Sequence, residues 1–534
     1  MRLPVFLSIA AIVSAQHAHV LPSEKPVTLL DRLGNTNLPI ATTSPEAQQF
    51  FNQGVAMLYG FNRYEALRSF WRASELDPSA LMPHVFAAFA KGPHINMDLD
   101  GDFNQKAYCT SLDEARPLLA KAPRREQAWF DAAASRCSIN NDARAVAAFK
   151  KLADQYPDDL DALTFYADSL MIPVRWRWFS QNGQPNTGTE QAIAALDTVL
   201  RRNPRHLGAN HFYIHAVESS PHPERAIPSA ERLMGLAPAL GHIVHMPGHI
   251  WMALGDYRQV LSTNGPAVKA DRDYFEKSGL FGHIYTGYFI HNLHFIAVAR
   301  QMSGASKQAI EAANEVAKEV SPMLATAEGA NMADMFLAMP LYAMFRFSRW
   351  DDVLAASAPD AKAVMTTSVW HFGRALAYQA KGSIAEAQTE RKAFLTSLSK
   401  IPPTWIAGNN KASAVLQVFA EVLEARLAGS EQAALPHWRR AVLLQDQLVY
   451  DEPPPFYYPI RESMAGSLLR AGRATEAEAV FREGLIKSPR NGRLLFGLRA
   501  SLKAQGKTES ATLVDTEFQR AWQDADVELN IAGL

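Results

Sequence analysis

A chain of 534 residues, 48% hydrophobic and 20% charged, exceeds what one compact core usually holds, so it requires several domains or a repeat array. Its 53 Lys+Arg offset 54 Asp+Glu to a formal charge of −1 with no long single-sign run. That balance lacks the electrostatic footprint of a nucleic-acid or anionic-membrane partner.

At the N-terminus, "MRLPVFLSIAAIVSAQ" combines Arg2, an apolar run from Pro4 to Val13, and the small-residue form Val13-Ser14-Ala15. The pattern predicts a secretory signal peptide over residues 1–15 and an exported mature chain, periplasmic or extracellular. A cut one residue later would free His17 as a chelating terminus, but Gln16 is a poor residue before a scissile bond. Beyond it no stretch approaches the roughly 18 to 20 apolar residues of a membrane span. Residues 16–45 are expected to be extended. Further on, "DLDGD" (Asp98, Asp100, Asp102) is half of a calcium loop, yet its glycine is misplaced and Cys109 stands where the closing glutamate belongs. An EF-hand is therefore excluded. The two cysteines, Cys109 and Cys137, are free to pair in an exported chain or to be buried thiols, since spacing does not give the Cα separation.

The stretch "FNQGVAMLYGFNRYEALRSFWRASELDPS" places Gly54, Ala66, Phe70, Ala73 and Pro78 at positions 8, 20, 24, 27 and 32 of a repeat. In this it resembles the tetratricopeptide family, whose period is roughly 34 residues. The template fits again at Ala145, Phe149, Leu152 and Pro157; at Ala192, Leu196, Val199 and Pro204; at Ala226, Ala230, Leu233 and Pro238; and at Ala477, Phe481 and Pro489. Pro204 and Pro238 lie 34 apart (238 − 204), so two adjacent units keep register. The resemblance implies an all-α fold, a helix-turn-helix solenoid forming a right-handed superhelix with a concave groove. We divide it at 46–340 and 341–534, with poor matches over 80–140 and 315–365. Each unit is a helix pair that cannot bury its apolar face alone, so neighbours stack into one core.

Histidines follow the repeat. With Pro238 at position 32, one unit starts at 207, placing His211, His215 and Glu218 of "NHFYIHAVE" at positions 5, 9 and 12. The next starts at 241 ("GHIVHMPGHIW") and repeats the pair (211 + 34 = 245; 215 + 34 = 249), adding His242 at position 2. A third, anchored by Ala309 and starting at 290, supplies His291 and His294. Ten of the sixteen histidines fall between His206 and His294, which argues against random scatter over helix faces. The resemblance implies that positions 2, 5, 9 and 12 line the groove.

Neutral imidazole suits zinc, copper or iron, so the expected cofactor is a divalent transition metal, zinc or copper before iron. The pairs His211/His215 and His245/His249 with Glu218 make a four- or five-ligand set, or Glu218 stands outside it as a general base on bound water. Met252, at position 12 of the second unit, is a soft axial candidate favouring copper. The alternative is a metal-free scaffold whose histidine-lined groove binds a peptide or protein, the commoner use of the fold. His206, His222 and His283 are expected in turns or at helix ends. Pro247, at position 7, should kink the first helix between His245 and His249. Trp176 and Trp178 in "VRWRWFSQNGQPNTGTE" either wall the groove or plug the seam; Tyr457, Tyr458 and Arg461 after the helix-breaking Pro453 to Pro455 are candidates for its other side. No phosphate loop, nucleophile elbow or HExxH motif occurs. The blocks "NHFYIHAVE", "GHIVHMPGHI" and "HNLHF" together resemble a group of exported bacterial tetratricopeptide proteins, a likeness that implies no reaction.

Overall fold

Repeat chemistry is visible in the first helix pair. Helix α1 (Pro45–Tyr59) begins at Ser44, whose hydroxyl accepts from Ala47 N–H, and α2 (Arg63–Leu76) begins at Asn62, which accepts from Glu65 N–H. Each cap satisfies a backbone donor that has no partner inside the helix. The chain reverses between them at Phe61, a left-handed residue with φ 56°. A Cβ on Gly54 would run into the Phe70 ring, which is the physical content of a small residue at position 8 facing an aromatic at position 24. Pro78 follows the end of α2, where its missing N–H costs nothing.

The computed structural model describes residues 23–96, 101–137, 142–282 and 285–534. The signal peptide expected at 1–15, His17, His283, and Asp98 and Asp100 lie outside them. The chain divides into two compact units, Met1–Ile250 with Ser262–Asn292, and Trp251–Leu261 with Leu293–Leu534. Residue 340 lies inside the second unit, and the two units meet within the stretch of chain that carries the histidine repeats.

In the first unit, residues 23–44 carry no helix or strand and are tied down by Leu30 N–H to Gln53 Oε1 (2.8 Å) and Lys25 N–H to the Ser278 carbonyl (2.8 Å). After α2 come α3 (Met82–Lys91), α4 (Gly101–Ala115), α5 (Arg124–Ala134) and α6 (Asp142–Gln155). Cys109 and Cys137 are disulfide-bonded, with Cα atoms 5.6 Å apart, closing the stretch whose repeat match is poor. Then follow α7 (Leu160–Met171), α8 (Thr189–Arg202), α9 (Leu207–Glu218) and α10 (Ile227–Leu236). Template residues Phe149, Ala192, Leu196, Val199, Ala230 and Leu233 are fully buried. Each large apolar one contributes about 1.5–3 kcal/mol. Between α7 and α8, Trp178 is fully buried, donating Nε1–H to the Met171 carbonyl at 3.2 Å, so it plugs the seam.

The kink predicted at Pro247 is a complete break: α11 (Gly241–His245) stops, Met246 turns, and α12 (Pro247–Ala253) restarts with proline in its first turn. Helices α13 (Tyr257–Ser278) and α14 (Thr286–Met302) each contribute residues to both units.

The second unit continues with α15 (Ser306–Val320) and three shorter helices, α16 (Ala327–Leu337), α17 (Met339–Arg346) and α18 (Trp350–Ala355). Those short elements explain the poor repeat match over 315–365. Four helix pairs complete the unit, beginning with α19 (Val364–Ala380) and α20 (Ile384–Leu398), then α21 (Ala412–Leu427) and α22 (Glu431–Gln447). Last come α23 (Arg461–Arg470), α24 (Ala474–Lys487), α25 (Gly492–Ala504) and α26 (Thr508–Ala521). A two-residue hairpin, Ile406–Ala407 with Asn410–Lys411, is the one sheet among the described residues. Ala477, Phe481, Leu494 and Leu498 form its C-terminal core, with Gly497 placed under the Phe481 ring. The fold is thus an all-α helix-turn-helix solenoid.

Candidate metal centre

Helix α9 puts His211, His215 and Glu218 on one stripe because residues three or four apart are helix-surface neighbours. Helices α11 and α12 supply His242, His245 and His249, and α14 supplies His291. Three groups bring their ligand atoms within 4.8 Å of one another: His211/His215/His242, His245/His249/His291, and His215/Glu218/His249. All seven residues belong to the first unit.

These side chains do not line an open groove. His211, His215 and His245 have no exposed surface, Glu218 retains 2% and His249 4%. From the α1–α2 turn Phe61 covers the first three histidines, its ring centroid 4.5 Å from His211, 5.1 Å from His242 and 5.8 Å from His215. Tyr288 lies 4.6 Å from His242, and Trp176 and Trp178 stand 6.5 and 6.0 Å from His215. Trp176 (φ 61°) shares with Phe61 the left-handed backbone that bulky residues rarely adopt. Two costly conformations beside one cluster mark a place where packing over-determines geometry.

Hydrogen bonds fix the ring tautomers. His211 Nδ1–H donates to the Tyr59 carbonyl at 2.5 Å, and His245 Nδ1–H to Asn264 Oδ1 at 2.7 Å. His215 and His249 donate Nδ1–H to opposite oxygens of Glu218, at 2.8 and 2.6 Å. An acceptor at Nδ1 leaves the lone pair on Nε2. His245 Nε2 and His249 Nε2 lie 2.6 Å apart, a spacing at which two such nitrogens share a cation, a proton or a metal ion. His215 Nε2 is buried and has no hydrogen-bond partner, and neither does His242 Nδ1, whose other nitrogen meets His211 Nε2 at 3.1 Å.

A proton is a poor candidate for that cation. Burial pushes the His211 ring down to about 3, and burial followed by the neighbouring imidazoles holds His215, His242 and His245 well below the ordinary range. Neutral imidazoles with inward lone pairs are a metal-ligand set. At zinc–nitrogen bonds of about 2.0–2.1 Å, two ligands on a tetrahedral ion sit about 3.3 Å apart, near the 3.1 Å between His211 and His242 Nε2 and wider than the 2.6 Å between His245 and His249 Nε2. A bound cation also supplies charge opposite the buried Glu218 carboxylate, which burial otherwise penalises. The residues fit a transition metal.

Behind the ligands, Tyr285 OH accepts from His242 N–H (3.2 Å) and donates to Asp271 Oδ1 (3.0 Å), while Asn292 Nδ2–H donates to Asp271 Oδ2 (2.7 Å). Burial raises the Asp271 carboxyl to about 7.

Some expected site residues lie elsewhere. His294 joins none of the three groups; it falls in the second unit with its ring edge-on to Phe336 at 5.3 Å, and burial lowers it to about 4. Met252 also falls in the second unit. Tyr457 stacks on Tyr342, Tyr458 OH meets Ser463 Oγ at 3.0 Å, and Arg461 is held by Asp446 and Glu483, all within the second unit. Glu218 directs its two oxygens at the Nδ1 atoms of His215 and His249, so it orients both rings. His206 caps α9, and His222 is exposed beside Glu224. The spacing argument missed Tyr59, Phe61, Asn264 and Tyr288; only the turn "GFN" after α1 hinted at an irregular backbone.

No family model matches the chain, and no curated protein matches it. Among solved structures, it is similar to the human IFIT1 dimer with m7Gppp-AAAA, at 12% identity and a TM-score of 0.32, covering 88% of this chain and 94% of that one. Yeast Tom70 aligns at 11% identity and a TM-score of 0.30, covering 89% and 93%. At these scores neither likeness carries an argument. The class rests on the helix pairs and the site: an all-α repeat protein with a buried polyhistidine cluster.

Proposed function

We propose that this chain is an exported helical-repeat protein whose buried histidine cluster binds a first-row transition metal, zinc or copper before iron. The observation that carries the reading is the convergence of imidazoles: the ligand atoms of His211, His215 and His242 lie within 4.8 Å of one another, as do those of His245, His249 and His291, and His215 Nε2 and His242 Nδ1 are buried without a hydrogen-bond partner. Burial of six of the seven site residues, with His291 partly exposed, suits a resident ion better than a groove that reads a peptide. Binding of a protein partner, the commoner use of helical repeats, would use other surfaces. The N-terminal apolar run and the Cys109–Cys137 disulfide both support export, because disulfides persist in oxidising compartments.

The test is elemental analysis of the mature protein, residues 16–534, purified without a histidine tag. Near-stoichiometric zinc, copper or iron that disappears in the His215→Ala, His249→Ala double variant, with helical content retained, is the expected result. No metal, and no uptake at micromolar free ion, would refute it.

A further inference from the structure

The histidine cluster contains the same arrangement twice. Trio one takes positions 5 and 9 of the unit starting at 207 (His211, His215) and position 2 of the unit starting at 241 (His242). Trio two takes positions 5 and 9 of that second unit (His245, His249) and position 2 of the third (His291). No residue is shared. The ring separations correspond pair by pair: position 5 to position 9 is 4.9 and 4.6 Å, and position 5 to the next unit's position 2 is 4.9 and 4.8 Å. Position 9 to that same position 2 is 6.2 and 5.7 Å.

The supporting bonds repeat as well. Each position-5 ring gives Nδ1–H to a neutral oxygen, the Tyr59 carbonyl or Asn264 Oδ1, and each position-9 ring gives Nδ1–H to the Glu218 carboxylate. Position 12 is glutamate in the first unit and Met252 in the second, so one carboxylate serves both position-9 rings, 5.5 Å apart. A repeat that stacks by a constant step carries equivalent side chains to equivalent places, so a ligand set built across one unit boundary is built again across the next.

We infer that the cluster is a dinuclear centre: one ion on His211, His215 and His242, a second on His245, His249 and His291, with Glu218 bridging the two sets of ligands from behind. This deepens and rests on the metal-binding reading above. Three imidazoles per ion, with no carboxylate ligand required, select imidazole-preferring first-row ions such as zinc or copper over oxygen-preferring magnesium or calcium.

The experiment counts ions. Mature protein stripped with chelator is loaded from a zinc buffer at nanomolar free ion, and bound zinc is read by native mass spectrometry. Wild type should hold two ions, His211→Gln one, His249→Gln one, and the combined variant none. A wild-type count of one, abolished by either substitution, would overturn the dinuclear assignment while leaving metal binding intact; a count of zero would overturn both. Two ions in wild type that are both lost from each single variant, with melting unchanged, would overturn the division into separate trios. Should either variant melt early, His242→Gln and His291→Gln remove one ligand from each trio instead, and the same counts apply.

Discussion

Glu218 orients two imidazoles at once, and its amide counterpart cannot. Glutamine offers one carbonyl oxygen to two Nδ1–H donors and turns an NH2 toward the other, so Glu218→Gln leaves His215 or His249 facing a donor. Loss of such an orienting partner typically costs 10–100-fold in metal affinity, roughly. A competitive chelator titration should register a fall of that size with helical content unchanged. Protonation gives a second test at this scale. Burial holds the folded His211 ring at about 3, while an unfolded imidazole titrates near ~6.5. Between those values the unfolded chain binds the proton and the folded one does not. Stability of the metal-free protein therefore falls as pH drops from about 6.5 toward 3. His211→Gln removes that proton uptake, and the difference in melting temperature between pH 7 and pH 5 should shrink.

Helix pairs obey size complementarity at the crossing. Gly54 faces the Phe70 ring so closely that any Cβ must displace it. Gly54→Ala would gain up to about 1 kcal/mol of helix propensity but overpacks a rigid ring, a cost of about 1–3 kcal/mol. A lower denaturant midpoint at unchanged slope is the expected outcome. The repeat pattern places Gly54 and Phe70 at positions 8 and 24 because both lie within one repeat. It also found the break at Pro247, since a proline inside a helix removes a hydrogen bond wherever it occurs. What it missed is non-local: the Tyr59 carbonyl that orients His211 lies 152 residues upstream, and no spacing rule reaches that far.

Across the whole molecule, the ligands span residues 211 to 291 of the first unit. An ion held at a hundred times its Kd adds about 2.7 kcal/mol to what it binds. Because repeats contact chiefly their neighbours, that gain should be local. Chelation is expected to speed amide exchange over 207–292 and leave the pair α19–α20 unchanged; uniform acceleration would argue against a local metal effect. The poor repeat match over 80–140 coincides with the disulfide Cys109–Cys137, a crosslink that spacing alone left open.

The sequence by itself determined the all-α class, the helix pairs and the duplicated histidine spacing. All three follow from periodicities that act within one helix or between adjacent repeats. Tertiary structure alone decided that Phe61 packs over His211, His215 and His242, that His291 joins the cluster while His294 does not, and that Glu218 serves two rings. Those outcomes depend on how far each helix rotates against its neighbour and where distant turns return, quantities set by packing of the whole unit rather than by residue spacing.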